Sequence, residues 1–433
     1  MQIEQLYKIF RQHPVVTTDS RDCPSGSIFF ALKGASFDGN RFAKQALDQG
    51  CAYAVIDERE YDDPADDRLI LVDDCLSTLQ QLARFHRRTL GTKIVGVTGT
   101  NGKTTTKELI ATVLSQKYNV LYTQGNLNNH IGVPKTLLGL RSDHDIAVVE
   151  MGANHPGEIK TLVNIAEPDC GLITNVGKAH LEGFGSFEGV IHTKGELYDF
   201  LRQRADSIVF IDNGNEHLKG IADGLTLVRY GIGDDETLCV GGEVVSCAPM
   251  LSFRWRHGGG DWHQVDTHLI GTYNLTNMLA AACVGLYFGV TSEQIDKALS
   301  SYRPTNNRSQ LTLTEHNRLI VDTYNANPTS MDAALCNFRD MDVSPKMAIL
   351  GDMRELGDSS SEEHRKVVDF LLCNGLSNVW LVGEEFGKTD CPFRKFHDVE
   401  EVKSALRDDC PHGYYILIKG SNSTRLYELP PLL

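Results

Sequence analysis

The sequence has no apolar run long enough to cross a bilayer. Its longest, Met278 to Val290, covers 13 residues and includes Gly285. That suits a buried helix and excludes a membrane span, which takes about 20 residues. The eleven cysteines are scattered, odd in number and never in C-x-x-C pairs. This excludes a disulfide frame and the common zinc sites, and fits free thiols in a reducing cytosol. Positive charge is also short: 42 Lys and Arg against 57 Asp and Glu leave a net −15. Nucleic acid is therefore not expected as a partner, and anionic ligands must be met by local groupings of Lys, Arg and helix N-termini. The opening M-Q-I-E-Q-L has no basic region followed by an apolar core, so no signal peptide is expected. At 433 residues, 41% hydrophobic and 23% charged, the chain reads as a soluble protein of about three domains.

What is present is organised around Lys93 to Thr106, K-I-V-G-V-T-G-T-N-G-K-T-T-T. The apolar run Ile94, Val95 and Val97 predicts a buried parallel strand. A glycine turn follows, then a helix with Leu109, Ile110, Val113 and Leu114 on one face. Strand, glycine turn and helix in that order make a phosphate cradle. The turn and helix amides face the phosphate, Lys103 adds charge, and the next hydroxyl, Thr104, can hold Mg²⁺. The strict P-loop spacing lacks its first glycine, since position 97 is valine. The loop is the shortened form Gly99-x-x-Gly102-Lys103-Thr104.

Residues 1–90 read as a first small α/β unit, with strands at Ile28 to Leu32, Ala52 to Ile56 and Leu69 to Val72 and a helix from Leu76 to Arg88. Ser20 and Arg21, with the loop Lys33 to Asn40, could grip an anion; turn residues closing a small sheet would look the same. In residues 91–303 strand and helix alternate more densely. D-I-A-V-V-E-M-G (145–152) predicts a strand ending in Glu150, and G-L-I-T-N-V (171–176) another, followed by His180. Alternation implies a parallel sheet with its ligand site at the carboxyl strand ends, where Thr104, Glu150 and His180 converge. Glu150 is a hard oxygen ligand suited to Mg²⁺, and His180 could ligate a second metal or its water. Residues 237–270 predict an antiparallel hairpin insertion, and a helix starting near Asn274 and Asn277 follows. Beyond Tyr302-Arg303-Pro304, residues 304–433 carry four more strands and read as a second doubly wound sheet ending K-G-S. Arg308, just past the boundary, could reach across the cleft to a phosphate.

Taken together these segments resemble the Mur ligase family of ATP-dependent amide-forming enzymes. T-G-T-N-G-K-T-T, E-M-G-A-N-H-P-G-E-I from Glu150 and T-N-V-G-K-A-H-L-E-G-F-G-S from Thr174 are similar to its ATP, metal and substrate segments. Within the family, D-T-Y-N-A-N-P at 322–328 and G-N-L-N-N-H-I-G-V-P at 125–134 are similar to the branch that adds D-alanyl-D-alanine. The D-N-P-R of the diaminopimelate-adding branch is missing. Two positions depart from the family pattern, Tyr273 for a histidine and Asn307 for a glycine.

The resemblance implies an α/β chain of three domains, a central P-loop-containing and mostly parallel sheet flanked by a small N-terminal α/β domain and a C-terminal Rossmann-like domain. It implies ATP phosphates on Gly99, Thr100, Asn101, Gly102, Lys103, Thr104 and Thr105, and nucleotide contacts from Asn274, Asn277, Arg308 and Asp322. Mg²⁺ would sit on Thr104, Glu150 and His180, and Lys194 would carry a carbamate. Lys103, Lys194, His180 and Arg308 would be catalytic. UDP-N-acetylmuramoyl-tripeptide and D-alanyl-D-alanine would be the substrates, met by Ser20, Arg21, Asn126, Asn129, Tyr324, Asn325 and Asn327. The expected setting is the cytoplasm and the expected working unit a monomer. The chemistry would run through an acyl phosphate. The rival readings are another amide ligase of this fold (diaminopimelate-adding, glutamate-adding or folate polyglutamate-forming) and, from a different class, a P-loop regulatory ATPase.

Overall fold

A computed structural model describes residues 2–304 and 310–433. After helix α1 (Ile3–Gln12) come β1 (Val16–Thr17), β2 (Ile28–Phe30), the short pair β3 (Lys33–Gly34) and β4 (Phe37–Asp38), helix α2 (Ala43–Asp48), β5 (Tyr53–Ile56) and β6 (Leu69–Leu71). Strands β1, β2, β5 and β6 form a parallel sheet in that order. Helix α3 (Cys75–Leu90) follows, capped by Asp74, whose carboxylate accepts Ser77 N–H, and ended by Gly91 at φ 68°, a left-handed turn that glycine adopts without strain. Three arginines on its last turns clamp it to the next domain. Arg87 donates to the carbonyls of Ala166 and Glu167 and to Asp169, while Arg84 and Arg88 share the Glu167 carboxylate. Charge-assisted pairs on a helix this well capped fix the first domain against the second.

The central sheet has nine strands in the order β15-β14-β13-β12-β11-β10-β7-β9-β8. Its parallel part comprises β7 (Lys93–Thr98), β8 (Val120–Tyr122), β9 (Ile146–Glu150), β10 (Cys170–Ile173), β11 (Ile208–Asp212) and β12 (Leu227–Ile232). Every residue of β9 is buried because helices cover both faces, which is why these strands read as continuous apolar runs. The covering helices are α4 (Lys103–Leu114), α5 (Gly132–Leu138), α6 (Glu158–Ala166), α7 (Leu181–Phe184), α8 (Phe187–Arg202) and α9 (Glu216–Lys219), then α10 (Asn274–Tyr287) and α11 (Ser292–Ser301). The 237–270 segment is larger than a hairpin. β13 (Val240–Cys247), β14 (Met250–His257) and β15 (His263–Ile270) extend the same sheet, β13 parallel to β12 and the rest antiparallel. Strands β11 and β12 escaped the sequence reading.

The third sheet runs β16-β17-β21-β18-β19-β20, from β16 (Gln310–Leu313), β17 (Arg318–Asp322), β18 (Lys346–Gly351), β19 (Val379–Val382), β20 (Arg394–Phe396) and β21 (Tyr415–Lys419). It is parallel except for β16. Helix α12 (Pro328–Asp340) leaves the end of β17, with α13 (Ser360–Cys373), α14 (Glu384–Gly387) and α15 (Val399–Asp408) completing the layers. The expected α/β class is borne out. Among the described residues no helix is long and apolar enough to cross a membrane.

Helices α4 and α10, which carry the phosphate loop and Asn274 with Asn277, pack closely because α10 has Gly285 at the crossing. A Cβ there would lie 2.4 Å from Val113 Cγ1 and 3.3 Å from Ile295. Both neighbours are branched and fully buried, so neither can swing away. Gly285→Ala is therefore expected to lower unfolding free energy by about 1–3 kcal/mol through overpacking, read as a lower urea midpoint at unchanged slope.

Candidate active site

The carboxyl ends of β7, β9 and β10 lie side by side, with Val97 opposite Glu150 and Thr98 opposite Ile173. Just beyond them the chain turns through Gly99 (φ 142°) and Gly102 (φ 77°). Both need glycine for space as well as for conformation. A Cβ at 99 would lie 2.0 Å from Thr174 Oγ1, and one at 102 would lie 2.7 Å from Asn277 Oδ1. The loop is stapled to the end of β10. Thr100 N–H donates to Asn175 O and Asn101 N–H to Asn175 Oδ1, while Asn101 O accepts from Thr174 Oγ1 and Asn175 Nδ2. Helix α4 then starts with no side-chain cap and no acidic residue in its first turn, which leaves its amides for an anion. Lys103 Nζ folds back onto the carbonyls of Gly99 (2.8 Å) and Thr100 (2.9 Å), above the seat the loop makes for phosphate.

Glu150 is 1% exposed. Its Oε1 accepts from Thr104 Oγ1 (3.2 Å) and Asn128 Nδ2 (2.8 Å), whereas buried Oε2 accepts no hydrogen bond. Beneath it Lys107, fully buried, donates to Thr123 O and stands 3.9 Å from Oε2. A buried carboxylate oxygen left bare is costly, and a hard cation shared with Thr104 would satisfy it. The residues present thus fit Mg²⁺. Among the described residues no three His, Cys, Asp or Glu side chains group to hold a metal by themselves, so a cation here would need further ligands from outside these side chains.

His180, left-handed at φ 50°, lines the same cavity as Lys103 and Glu150, with Nδ1 turned onto the Glu355 carboxylate of the third domain. Burial, helped by the charges of Lys103 and Lys194, holds its imidazole below the ordinary value against the pull of Glu355. Lys194 is buried on α8, its Nζ 3.3 Å from Ala153 O and 5.1 Å from the Phe184 ring. Burial first, then the Lys103 charge, pushes its amine down to about 7. At neutral pH a good share of it is an uncharged nucleophile.

At the start of α10, Asn277 Oδ1 accepts from Thr106 Oγ1, Asn277 Nδ2 donates to Asn274 Oδ1, and Asn274 Nδ2 donates to Ile270 O. Asn274 therefore does not serve as a plain helix cap. The ladder joins α10 to α4 behind the loop, and both asparagines also line the cavity. From the third domain come Asp322, Tyr324, Asn325 and Lys419. Lys419 is 1% exposed, donating to Asp322 Oδ2 (2.6 Å) and Asn325 O (3.3 Å).

These walls enclose about 890 Å³, within the range of a ligand site. Thr100, Asn101, Gly102, Lys103, Thr105, Asn126 and Asn129 also line it. Asn129 Oδ1 accepts from Ile131 and Gly132 N–H at the start of α5. Asn327 turns its amide onto Asn101. Ser20, buried, and Arg21, exposed and paired with Asp19, are not lining residues. Arg308 and Asn307 lie outside the described residues. The sequence reading missed Asn128, Lys107, Lys419 and Glu355. Only Lys107, one helical turn beyond Lys103, carried a positional signal.

Family models for the Mur ligase family, catalytic domain (residues 14–87), the Mur ligase middle domain (97–285) and the Mur ligase glutamate ligase domain (307–422) all match the chain. It is 34% identical to the UDP-N-acetylmuramoyl-tripeptide–D-alanyl-D-alanine ligase of Bacillus subtilis, covering 96% of this chain and 92% of that one. Among solved structures, MurF of Acinetobacter baumannii superposes with TM-score 0.84 at 32% identity, covering 96% and 92% of the two chains. MurF ligase of Thermotoga maritima in complex with ADP superposes with TM-score 0.84 at 27% identity, covering 96% of each.

Asn128 fixes the oxygen of Glu150 that Thr104 shares. Asn128→Ala is expected to weaken binding of Mn²⁺, as a spectroscopic stand-in for Mg²⁺, in the presence of ADP by roughly 10- to 100-fold. Electron paramagnetic resonance titration reads this directly, and unchanged affinity would remove Asn128 from the site.

Proposed function

Because the chain belongs to the Mur ligase family, we propose that it is the ATP-dependent ligase joining D-alanyl-D-alanine to a UDP-N-acetylmuramoyl-tripeptide, in the cytoplasm and as a monomer. The observation that carries the reading is the meeting of two segments in one cavity. The phosphate loop forms one wall, and Tyr324 and Asn325 of the T-Y-N-A-N-P segment form the facing one. The Bacillus subtilis relative, matched over nearly its whole length, bears that activity in its name.

The chain's own residues account for the steps. Loop amides and the start of α4 receive the ATP phosphates, and Lys103 transfers its donors from the Gly99 and Thr100 carbonyls to the terminal phosphates. Thr104 and Glu150, with His180 near, would hold Mg²⁺, which when bound offsets the charge that separates a carboxylate from a phosphate. The acceptor's terminal carboxylate attacks the γ-phosphate to give an acyl phosphate and ADP. The dipeptide amine then attacks that carbonyl and phosphate leaves. Lys194 sits deep behind Ala153, where a carbamate turns a cation into an anion. Two lysines would then no longer repel each other, and the new carboxylate could neighbour the metal. His180 and Glu355 close the third domain over the reacting groups and limit water.

The direct test incubates the protein with ATP and a panel of acceptor and amine pairs and follows phosphate release. Release that depends on the muramoyl tripeptide and D-alanyl-D-alanine together supports the reading. Preference for diaminopimelate or glutamate as the amine, or release with no carboxylate acceptor, would replace it. Lys103→Ala is expected to abolish ADP formation with the melting curve unchanged; retained turnover would refute its place on the phosphates. With ¹³C-bicarbonate, wild type should show a carbamate resonance at pH 8 that fades as pH falls through about 7, where the Lys194 amine protonates. Lys194→Ala should lack the resonance and regain part of its turnover with short carboxylic acids.

A further inference from the structure

The third domain meets the central one along the loop after β10, and one contact there runs into the phosphate loop itself. Asn101 Nδ2 donates to Asn327 Oδ1 (3.3 Å), and Asn327 Nδ2 donates to Asn101 Oδ1 (2.8 Å). Two side-chain amides thus pair reciprocally, each giving one donor and one acceptor. Both are held from behind. The Asn101 backbone is stapled to Thr174 and Asn175. Asn327 is 6% exposed and caps α12, its Oδ1 also accepting Ser330 N–H at 2.8 Å.

The surroundings repeat the pattern. Lys178 N–H donates to Thr329 Oγ1 (3.0 Å) and Lys178 Nζ reaches Glu363 Oε1 (3.2 Å). Gly177 lies so close that a Cβ would be 2.7 Å from Thr329 Oγ1. Neither asparagine is demanded by its own domain. Serine or aspartate would cap α12 as well as asparagine does, and the loop staples use only the backbone of Asn101. What requires an amide at both positions is the pairing across the domains.

We propose that Asn101 and Asn327 are positioning residues that form a latch between the phosphate loop and the third domain. The proposal rests on the ligase reading above. It assigns the pair the task of holding the domains shut while the acyl phosphate waits for the amine. When the latch fails, water attacks the acyl phosphate, the carboxylate is regenerated and phosphate leaves without an amide. Because one half of the latch belongs to the loop that receives the nucleotide phosphates, nucleotide binding and closure favour each other reciprocally. Two neutral hydrogen bonds shift such a closing equilibrium by about tenfold.

The test uses Asn327→Ser, which keeps the helix cap but is too short to reach Asn101, with Asn101→Ala and the double variant. Amide formed and phosphate released are measured together. Each single variant is expected to lower amide per phosphate by up to about tenfold and to raise the dipeptide KM, with the ATP KM of Asn327→Ser rising by no more than that factor. The double variant should be no worse than the worse single one, since one latch is broken once. Full stoichiometry in both singles, or effects that multiply in the double, would overturn the latch. Wild type forming no amide would instead overturn the ligase reading. The latch is then read from X-ray scattering, where wild type compacts with a non-hydrolysable ATP analogue and Asn327→Ser does not; equal compaction in both rejects it.

Discussion

A carboxylate with one bare oxygen, buried at the end of a central strand, is the constraint on which this molecule turns. Glu150 is tied at Oε1 by Thr104 and Asn128, while Oε2 has only the distant charge of Lys107. A fold does not keep such a group in its interior without compensation, since an unpaired buried charge is among the most destabilising features a structure can hold. Everything around it is arranged to make a positive guest welcome and a stray one unnecessary. Lys107 is near enough to offset part of the carboxylate's charge and too far to hydrogen-bond the oxygen. Thr104 is delivered to it by the helix that the phosphate loop starts.

The loop, in turn, depends on the sheet register. Thr98 and Ile173 are neighbours across β7 and β10, so the residues that follow them, Gly99 to Asn101 and Thr174 to Asn175, run alongside and bond to each other. That contact leaves no space for a side chain at 99, and the Asn274–Asn277 ladder leaves none at 102. The ladder is placed by α10, whose distance from α4 is set by Gly285. Gly285, within the longest apolar run of the sequence, thus bears on the nucleotide seat, through two helices and one chain of amides.

Much of this was legible in the sequence because it is local. Strand, glycine turn, lysine and helix follow one another between 93 and 114, and the apolar strands of a covered parallel sheet stand out as uninterrupted runs. Glu150 and His180 were found because each follows such a run. What failed to show is what register and tertiary packing decide. Asn126, Asn128 and Asn129 are equivalent in a loop without periodicity, and only the fold gives Asn128 to Glu150 and Asn129 to the start of α5. Strands β11 and β12 were passed over because a long, mixed segment lies between α8 and the antiparallel extension. Lys419 looked like the end of a strand, yet parallel pairing sets it opposite Asp322.

The same distinction explains the uneven charge of the site. Lys103 and Lys194 raise the positive potential around His180, and burial strips the solvent that would screen it. The charge of Lys103 works against a second positive charge on Lys194. Lys194, the more deeply buried, is the one whose amine is pushed down to about 7. The third domain answers from its own side. Glu355 brings a carboxylate to His180 at the rim, a negative charge set on the third domain's side of the cavity. The third domain therefore contributes to the electrostatics of the cavity as well as to its shape.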